Sequence, residues 1–169
     1  KNSDTNIIVT SGAVSAGKFD FIPNYINKSG FKKCFKGVLI KPGRPIMFSK
    51  LKQKNKLFFG LPGNPISCAA GLRFFIYPLI RKSLGMKEEK SLKAKLTNSY
   101  EKVKKFTHFV RCYMEIDKNG LVKLKVLQGQ QSNRIKSFIS ANCWGVFPAG
   151  KTKFKKGNII DWVPLIPGR

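Results

Sequence analysis

Short apolar runs broken by glycine- and proline-rich turns fill the first half of the chain, and shorter runs in a polar setting fill the second. Asn6-Ile7-Ile8-Val9-Thr10 is an apolar run bounded by turn residues, which predicts a buried strand of the kind found in parallel sheets. Residues 18–28 put Phe19, Phe21, Ile22, Tyr25 and Ile26 on the apolar face of a helix, with Pro23 near its start. Residues 35–40, 46–48 and 57–60 predict further strands, with a polar hairpin tip at 50–56. From 67 to 84, Cys68, Leu72, Phe75 and Leu79 recur at helical spacing and give that segment a core face. Pro78 should kink or break this helix, and Gly85 should cap its end.

Past Lys87-Glu88-Glu89-Lys90 the pattern changes, so this charged stretch divides a first domain, 1–86, from a second, 91–169. Short strands are expected there at 92–96, 107–116, 121–127, 143–147 and 159–163. Asp117-Lys118-Asn119-Gly120 signals a hairpin turn, 128–133 a polar loop, and 135–140 a single helical turn. A β-rich module of about 75 residues is small for a core of its own and should lean on the first domain.

Composition narrows the class. Hydrophobic residues make up 42% of the 169, including 14 Phe, which excludes a disordered chain. Lys and Arg number 33 against 8 Asp and Glu, a net charge of +25, so anionic company is expected: nucleic acid, phosphates, oxyanions or an acidic partner. Lysine dominates and is spread along the chain, the distribution of a solvated surface, whereas a specific anion site uses a few placed groups. The best candidates for a nucleic-acid stripe are Lys102-Val103-Lys104-Lys105-Phe106 and residues 151–156. Both read as solvated loops, and nucleic acid is not the expected partner. Cys34, Cys68, Cys112 and Cys143 form no CxxC pair and have only His108 to join them, which argues against zinc. Buried reduced thiols in a cytoplasmic protein are the expectation. No run of 18 apolar residues predicts a membrane span. The chain opens without Met and enters a strand at once, the look of a fragment whose N-terminus lies elsewhere.

Three segments carry candidate chemistry. Gly60-Leu61-Pro62-Gly63-Asn64-Pro65-Ile66-Ser67 reads as strand, tight turn and helix start, which would turn free N–H groups and the positive end of a helix dipole toward an anion. Ser11-Gly12-Ala13-Val14-Ser15-Ala16-Gly17 is a small-residue loop of the kind that lets a ligand approach backbone, and Asp20 stands just beyond it. Lys41 and Arg44 flank a stiff Pro-Gly turn that presents cations to a small oxyanion. Taken singly, each also reads as an ordinary turn, cap or solvated charge.

Together these blocks resemble the molybdopterin molybdenumtransferase family, the bacterial MoeA proteins and the E domain of gephyrin. Thr10-Ser11-Gly12-Ala13-Val14-Ser15-Ala16-Gly17-Lys18-Phe19-Asp20 is similar to its T-[TS]-G-G-V-S-x-G-x-x-D block. Residues 41–45 are similar to K-P-G-K-P, and residues 60–67 to G-L-P-G-N-P-V-S. Phe109-Val110-Arg111 matches the end of E-F-x-R, and Gln130-Gln131-Ser132 with Ala141-Asn142 follows Q-G-S…A-N. The resemblance implies an α/β fold: the C-terminal part of a three-layer α/β/α molybdopterin-binding domain, then a small all-β, barrel-like domain. It implies insertion of molybdate into adenylylated molybdopterin with release of AMP, assisted by Mg2+ or another divalent cation. By position, Asp20 would be the catalytic and metal-linked acid. Lys41 would be catalytic and would bind molybdate with Ser67, Arg111, Ser132 and Lys36. Gly12, Ser15, Pro62, Gly63, Asn64 and Pro65 would line the pterin or its phosphates. The family further implies a homodimer when full-length, and here a truncated or split form, whose missing domains a separate chain could carry. Ala13 replaces a family glycine, Gln131 another, and Gly37 stands where a basic residue is common, so Lys36 would have to reach in its place. The alternatives of another class are a non-catalytic interaction module on the same scaffold and a basic nucleic-acid-binding protein.

Overall fold

In the computed structural model, residues 5–14, 21–51, 53 and 55–167 are described. Strands β1 (Ile7–Ser11), β2 (Lys32–Lys36), β4 (Met47–Leu51) and β5 (Lys56–Leu61) form a four-stranded sheet in the order β1-β5-β4-β2. The expected parallel pairing holds for β1 and β5, with Ile8 opposite Phe58, while β5-β4 and β4-β2 run antiparallel. Strand period 2 then sorts the side chains. Ile8, Phe58 and Met47 join Ile22, Ile26 and Phe31 around helix α1 (Ile22–Lys28). Ile7, Phe59, Leu61 and Phe48 join Ile76, Phe75 and Leu79 on the other face. The sheet is thus sandwiched between helices, as the three-layer expectation requires.

The helix beyond β5 is interrupted. Helix α2 (Pro65–Gly71) passes into a π-helical turn (Leu72–Ile76) and then α3 (Tyr77–Ser83). Pro78 has no N–H to give the carbonyl four residues back. The wide turn absorbs that defect just upstream, with Tyr77 N–H bonded to Leu72 O. Gly85, at φ +68, ends α3 as expected, and the Met86 N–H reaches back to Arg81 O at 3.0 Å.

The second module is a closed barrel. Strands β6 (Leu92–Leu96), β8 (Thr107–Ile116), β9 (Val122–Val126), β10 (Cys143–Phe147) and β12 (Ile159–Pro164) run in the order β10-β12-β6-β9-β8, and β8 pairs with β10 to close the ring. Short β7 (Tyr100–Glu101) and β11 (Lys153–Phe154) pair beside it, and α4 (Lys136–Ile139) is the expected single turn. Its core holds Leu96, Val110, Cys112, Leu124, Phe147 and Trp162. Cys112 and Cys143 are buried and face each other as unoxidised thiols, but Cys68 is only half-buried and Cys34 is exposed on β2, against the expectation that all four are buried.

Several contacts weld the modules. Ile66 and Ala70 of α2 pack on Trp144 and Val163, and Phe74 stacks flat on Phe109 at 3.6 Å between centroids. In addition, β3 (Ile40–Lys41), which belongs by sequence to the first module, adds as a parallel strand to β8, with Lys41 opposite His108.

Candidate functional site

The loops that carry the motifs converge where the modules meet. The Gly12 N–H donates to Leu61 O at 2.9 Å, and a Cβ on Gly63 would stand 3.3 Å from Gly12 Cα. The two loops therefore touch backbone to backbone, a contact only glycine permits. Beneath them, a Cβ on Gly60 would lie 2.5 Å from Val14 Cγ1, so Gly60 is what lets buried Val14 cross the strand. Ala13 holds φ +53, a left-handed backbone that suits the glycine of the similar motif better than alanine.

Asn64 caps α2: its Oδ1 accepts from the N–H groups of Ile66 at 3.1 Å and Ser67 at 3.3 Å. Pro65 has no N–H. The turn therefore does not present free N–H groups at the helix start, contrary to the expectation from sequence, because the cap residue consumes them. Ser67 is buried, and its carbonyl oxygen would lie 3.5 Å from a Cβ on Gly43. Gly12, Gly63, Asn64, Ser67 and the Pro42-Gly43 turn thus form one continuous rim, with Pro62 buried and Pro65 exposed along it.

At the end of that rim lies a cleft of about 470 Å3, lined by Lys41 and Pro42 from one module and by Lys102, His108, Gln130 and Gln131 from the other. Lys41 is exposed, and Ser132 is exposed in the turn next to Gln131. Lys36 is exposed at the end of β2, opposite Met47, and is not among the residues lining the cleft. Gly37 holds φ +81 with its N–H on Ile46 O at 2.8 Å, a backbone that a side chain adopts only with strain, which is why no basic residue stands there. Asp20 and Ser15 lie outside the described residues. Among the described residues no three His, Cys, Asp or Glu come together.

Arg111 is fully buried, and its guanidinium organises the polar loop after β9. Nε donates to Ser137 Oγ at 2.8 Å, and Nη2 donates to Gly129 O at 2.7 Å and Gln131 O at 3.2 Å. Its backbone N–H donates to Gln130 Oε1 at 3.0 Å, and Gln130 returns a bond to Arg111 O at 2.8 Å. Nη1 has no hydrogen-bond partner among the described residues. Arg111 thereby fixes the backbone that carries Gln130 and Gln131 to the cleft, whereas Ser132, like Arg111 itself, is not among the residues lining it.

Sequence reasoning passed over His108, Tyr100 and Lys102. His108 is 5% exposed, on the inward face of β8 at the barrel mouth, two residues from Val110. Its Nδ1 lies 2.9 Å from the Tyr100 hydroxyl. Burial, then the charges of Lys102 and Lys41, push its imidazole down to about 4, so the ring is neutral at pH 7. Burial, and to a lesser degree the Cys112 thiol, pushes Tyr100 up to about 12. Lys102 is not solvated as its basic run suggests: it is 9% exposed, its Nζ donates to Phe106 O at 2.7 Å, and burial lowers its pKa. The available signal was His108 itself, the one histidine, standing at the acidic place of the E-F-x-R motif.

Two family matches cover the chain in series: residues 1–82 match a probable molybdopterin binding domain, and residues 93–165 match the MoeA C-terminal region, domain IV. A molybdopterin molybdenumtransferase from Haemophilus influenzae is 31% identical over 166 residues, covering 96% of this chain and 40% of the relative. One from Staphylococcus epidermidis is 29% identical over 164 residues, covering 94% and 38%. The chain thus spans about two fifths of the length of these relatives. Structures titled as the molybdopterin biosynthesis MoeA protein of Pyrococcus horikoshii share the fold, with TM-scores of 0.62 and 0.70 at 24% and 22% identity, over 79% and 95% of this chain and 32% and 37% of theirs. A molybdenum cofactor biosynthesis protein from Pyrococcus furiosus shares it at TM-score 0.67 and 18% identity, over 94% of this chain and 67% of that one.

Proposed function

The chain belongs to the molybdopterin molybdenumtransferase (MoeA) family, whose C-terminal portion it matches, and from that premise we propose that it carries the molybdate-handling half of a molybdenum insertase. The reaction is transfer of molybdate into adenylylated molybdopterin, with AMP released. The observation that carries this reading is the cleft itself: Lys41 from one module and the Gln130-Gln131 loop from the other face the same space. Molybdate is a dianion, and a fixed cation in a partly enclosed cleft stabilises charge there better than one in bulk water. The glycine contact between Gly12 and Gly63 leaves a flat backbone rim beside it, suited to the pyrophosphate of the adenylylated pterin. Asp20 is the acid we assign to the assisting divalent cation, Mg2+ in the simplest case. The portion of the relatives outside the match, in the same chain, a dimer mate or a separate polypeptide, would complete the pterin pocket.

The test is AMP release from adenylylated molybdopterin on adding molybdate and Mg2+, with this chain alone and with the N-terminal region of a MoeA relative supplied in trans. Molybdate-dependent release that disappears in Asp20→Ala and Lys41→Ala is expected in at least one format. No release in either, from folded protein, would overturn the assignment and favour a non-catalytic interaction module on the same scaffold.

A further inference from the structure

The cleft has a second cation and a polar ring atom that the family motifs do not assign. Lys102 reaches it from the barrel side, opposite Lys41. Two bonds from Lys102 Nζ go to carbonyls, Phe106 O at 2.7 Å and Val103 O at 3.3 Å, with the Phe154 ring 6.0 Å away, so one N–H is left without a hydrogen-bond acceptor among the described residues. His108 lines the same cleft, and its buried Nε2 has no partner among the described residues. A buried ring nitrogen is rarely left so. The groups facing His108 are Tyr100 of β7, Lys102 beyond it, Lys41 of β3 and the uncharged Phe147 of β10.

The roles at the Tyr100 contact depend on the tautomer, and one of the two turns a donor outward. Tyr100 is protonated at neutral pH, and its hydroxyl, 2.9 Å from Nδ1, can donate there. The ring proton of a neutral imidazole then sits on Nε2. Lys41, Lys102 and His108 line one space together with Glu101, whose carboxylate is met by Lys153 at 3.6 Å, and a ligand with acceptors on several sides completes the lysine and ring donors.

Resting on the proposed function, we propose that the barrel mouth is the second half of the oxyanion site. The Lys102 ammonium and the Nε2–H of neutral His108 bind the tetrahedral oxyanion that Lys41 meets from the other module. Lys102 adds charge, and His108 adds an uncharged donor that does not repel the two lysines.

The single histidine makes a clean experiment. Imidazole NMR signals of the unmutated protein are followed as sodium molybdate is added, and affinity is measured by calorimetry in parallel. The expected result is a saturable shift of the His108 signals with a rise in its pKa, because a bound dianion favours the protonated ring. Lys102→Met and His108→Phe should each weaken molybdate binding about tenfold, the loss of one charge-assisted or buried hydrogen bond. His108→Gln, which keeps an N–H near Nε2, should recover most of the affinity, and Lys105→Met on the exposed loop should change nothing. Binding that depends on Lys41 yet leaves the His108 signals and Lys102→Met affinity unmoved would overturn this proposal alone. Binding that is absent or indifferent to Lys41→Met would overturn the functional reading with it.

Discussion

Replacing Arg111 by lysine separates a residue that braces the site from one that touches the anion. The guanidinium makes hydrogen bonds to Ser137 Oγ, Gly129 O and Gln131 O at 2.8, 2.7 and 3.2 Å, inside a fully buried position. A lysine ammonium has no planar fork and can keep about one of these partners. Each hydrogen bond from a charged group is worth about 1.5–3 kcal/mol. Losing two, less what relaxation and the remaining ammonium recover, gives a destabilisation of about 2–4 kcal/mol. In a chain of this size each kcal/mol moves Tm by about 2–4 °C, so the expected drop is about 4–16 °C. Thermal unfolding by circular dichroism measures it. Hydrogen exchange should show faster opening of residues 128–137 than of the barrel strands. Molybdate affinity should fall because Gln130 and Gln131 lose their anchor, and restoring the loop by lower temperature should restore part of it. A lysine variant as stable as the parent within a degree or two, yet unable to bind molybdate, would refute the brace and make Arg111 a direct ligand.

Other consequences can be measured on single variants. Gly60→Ala drives a methyl to 2.5 Å from Val14 Cγ1, and overpacking of that kind costs about 1–3 kcal/mol, readable as a lower denaturant midpoint with unchanged m-value. Asn64→Ala removes the acceptor for the Ile66 and Ser67 N–H groups and should cost about 0.5–2 kcal/mol, with the freed donors raising rather than lowering anion affinity at the turn. His108, held near 4 in the folded state against about 6.5 in the unfolded chain, leaves stability intact above pH 6.5. Stability should then fall between about pH 6.5 and 4, because only the unfolded chain takes up the proton, by at most about 3 kcal/mol. His108→Gln should flatten that slope in urea titrations across the same window.

Much of the fold was legible because each module carries one period at a time. The strands 92–96, 107–116 and 143–147 coincide with β6, β8 and β10, since their runs end at Gly, Asn, Asp or Pro. Of the antiparallel pairs in the first sheet, β4–β5 was legible from the polar hairpin tip at 50–56, but β4–β2 was not, because apolar runs look the same in either direction. The π-turn was read as a kink, since Pro78 announces a defect but not the geometry that absorbs it. Lys41, Gly63 and Ser67 were singled out by resemblance to the family's motifs. Lys102 and His108 were not, because their importance comes from burial at a barrel mouth, and nothing local in a lysine-rich run separates a buried lysine from a solvated one.

The two-residue strand β3 ties these observations together. Side chains contributed by separate modules ordinarily drift as the modules rock, since interfaces between domains allow motion. Here Ile40 and Lys41 are hydrogen-bonded into the barrel through β8, and the Thr107 N–H donates to Leu39 O at 3.0 Å. The backbone of Lys41 is therefore a strand of the module that carries His108, although nearby Gly43 turns back toward the Ser67 carbonyl. The Lys41 backbone is held in register with the barrel mouth by ladder bonds, and the adjoining Gly43 lies close to Ser67 O at the α2 turn, so this backbone cannot follow one module without the other. A cleft assembled that way keeps its backbone spacing without a ligand, the preorganisation that the proposed oxyanion site would require.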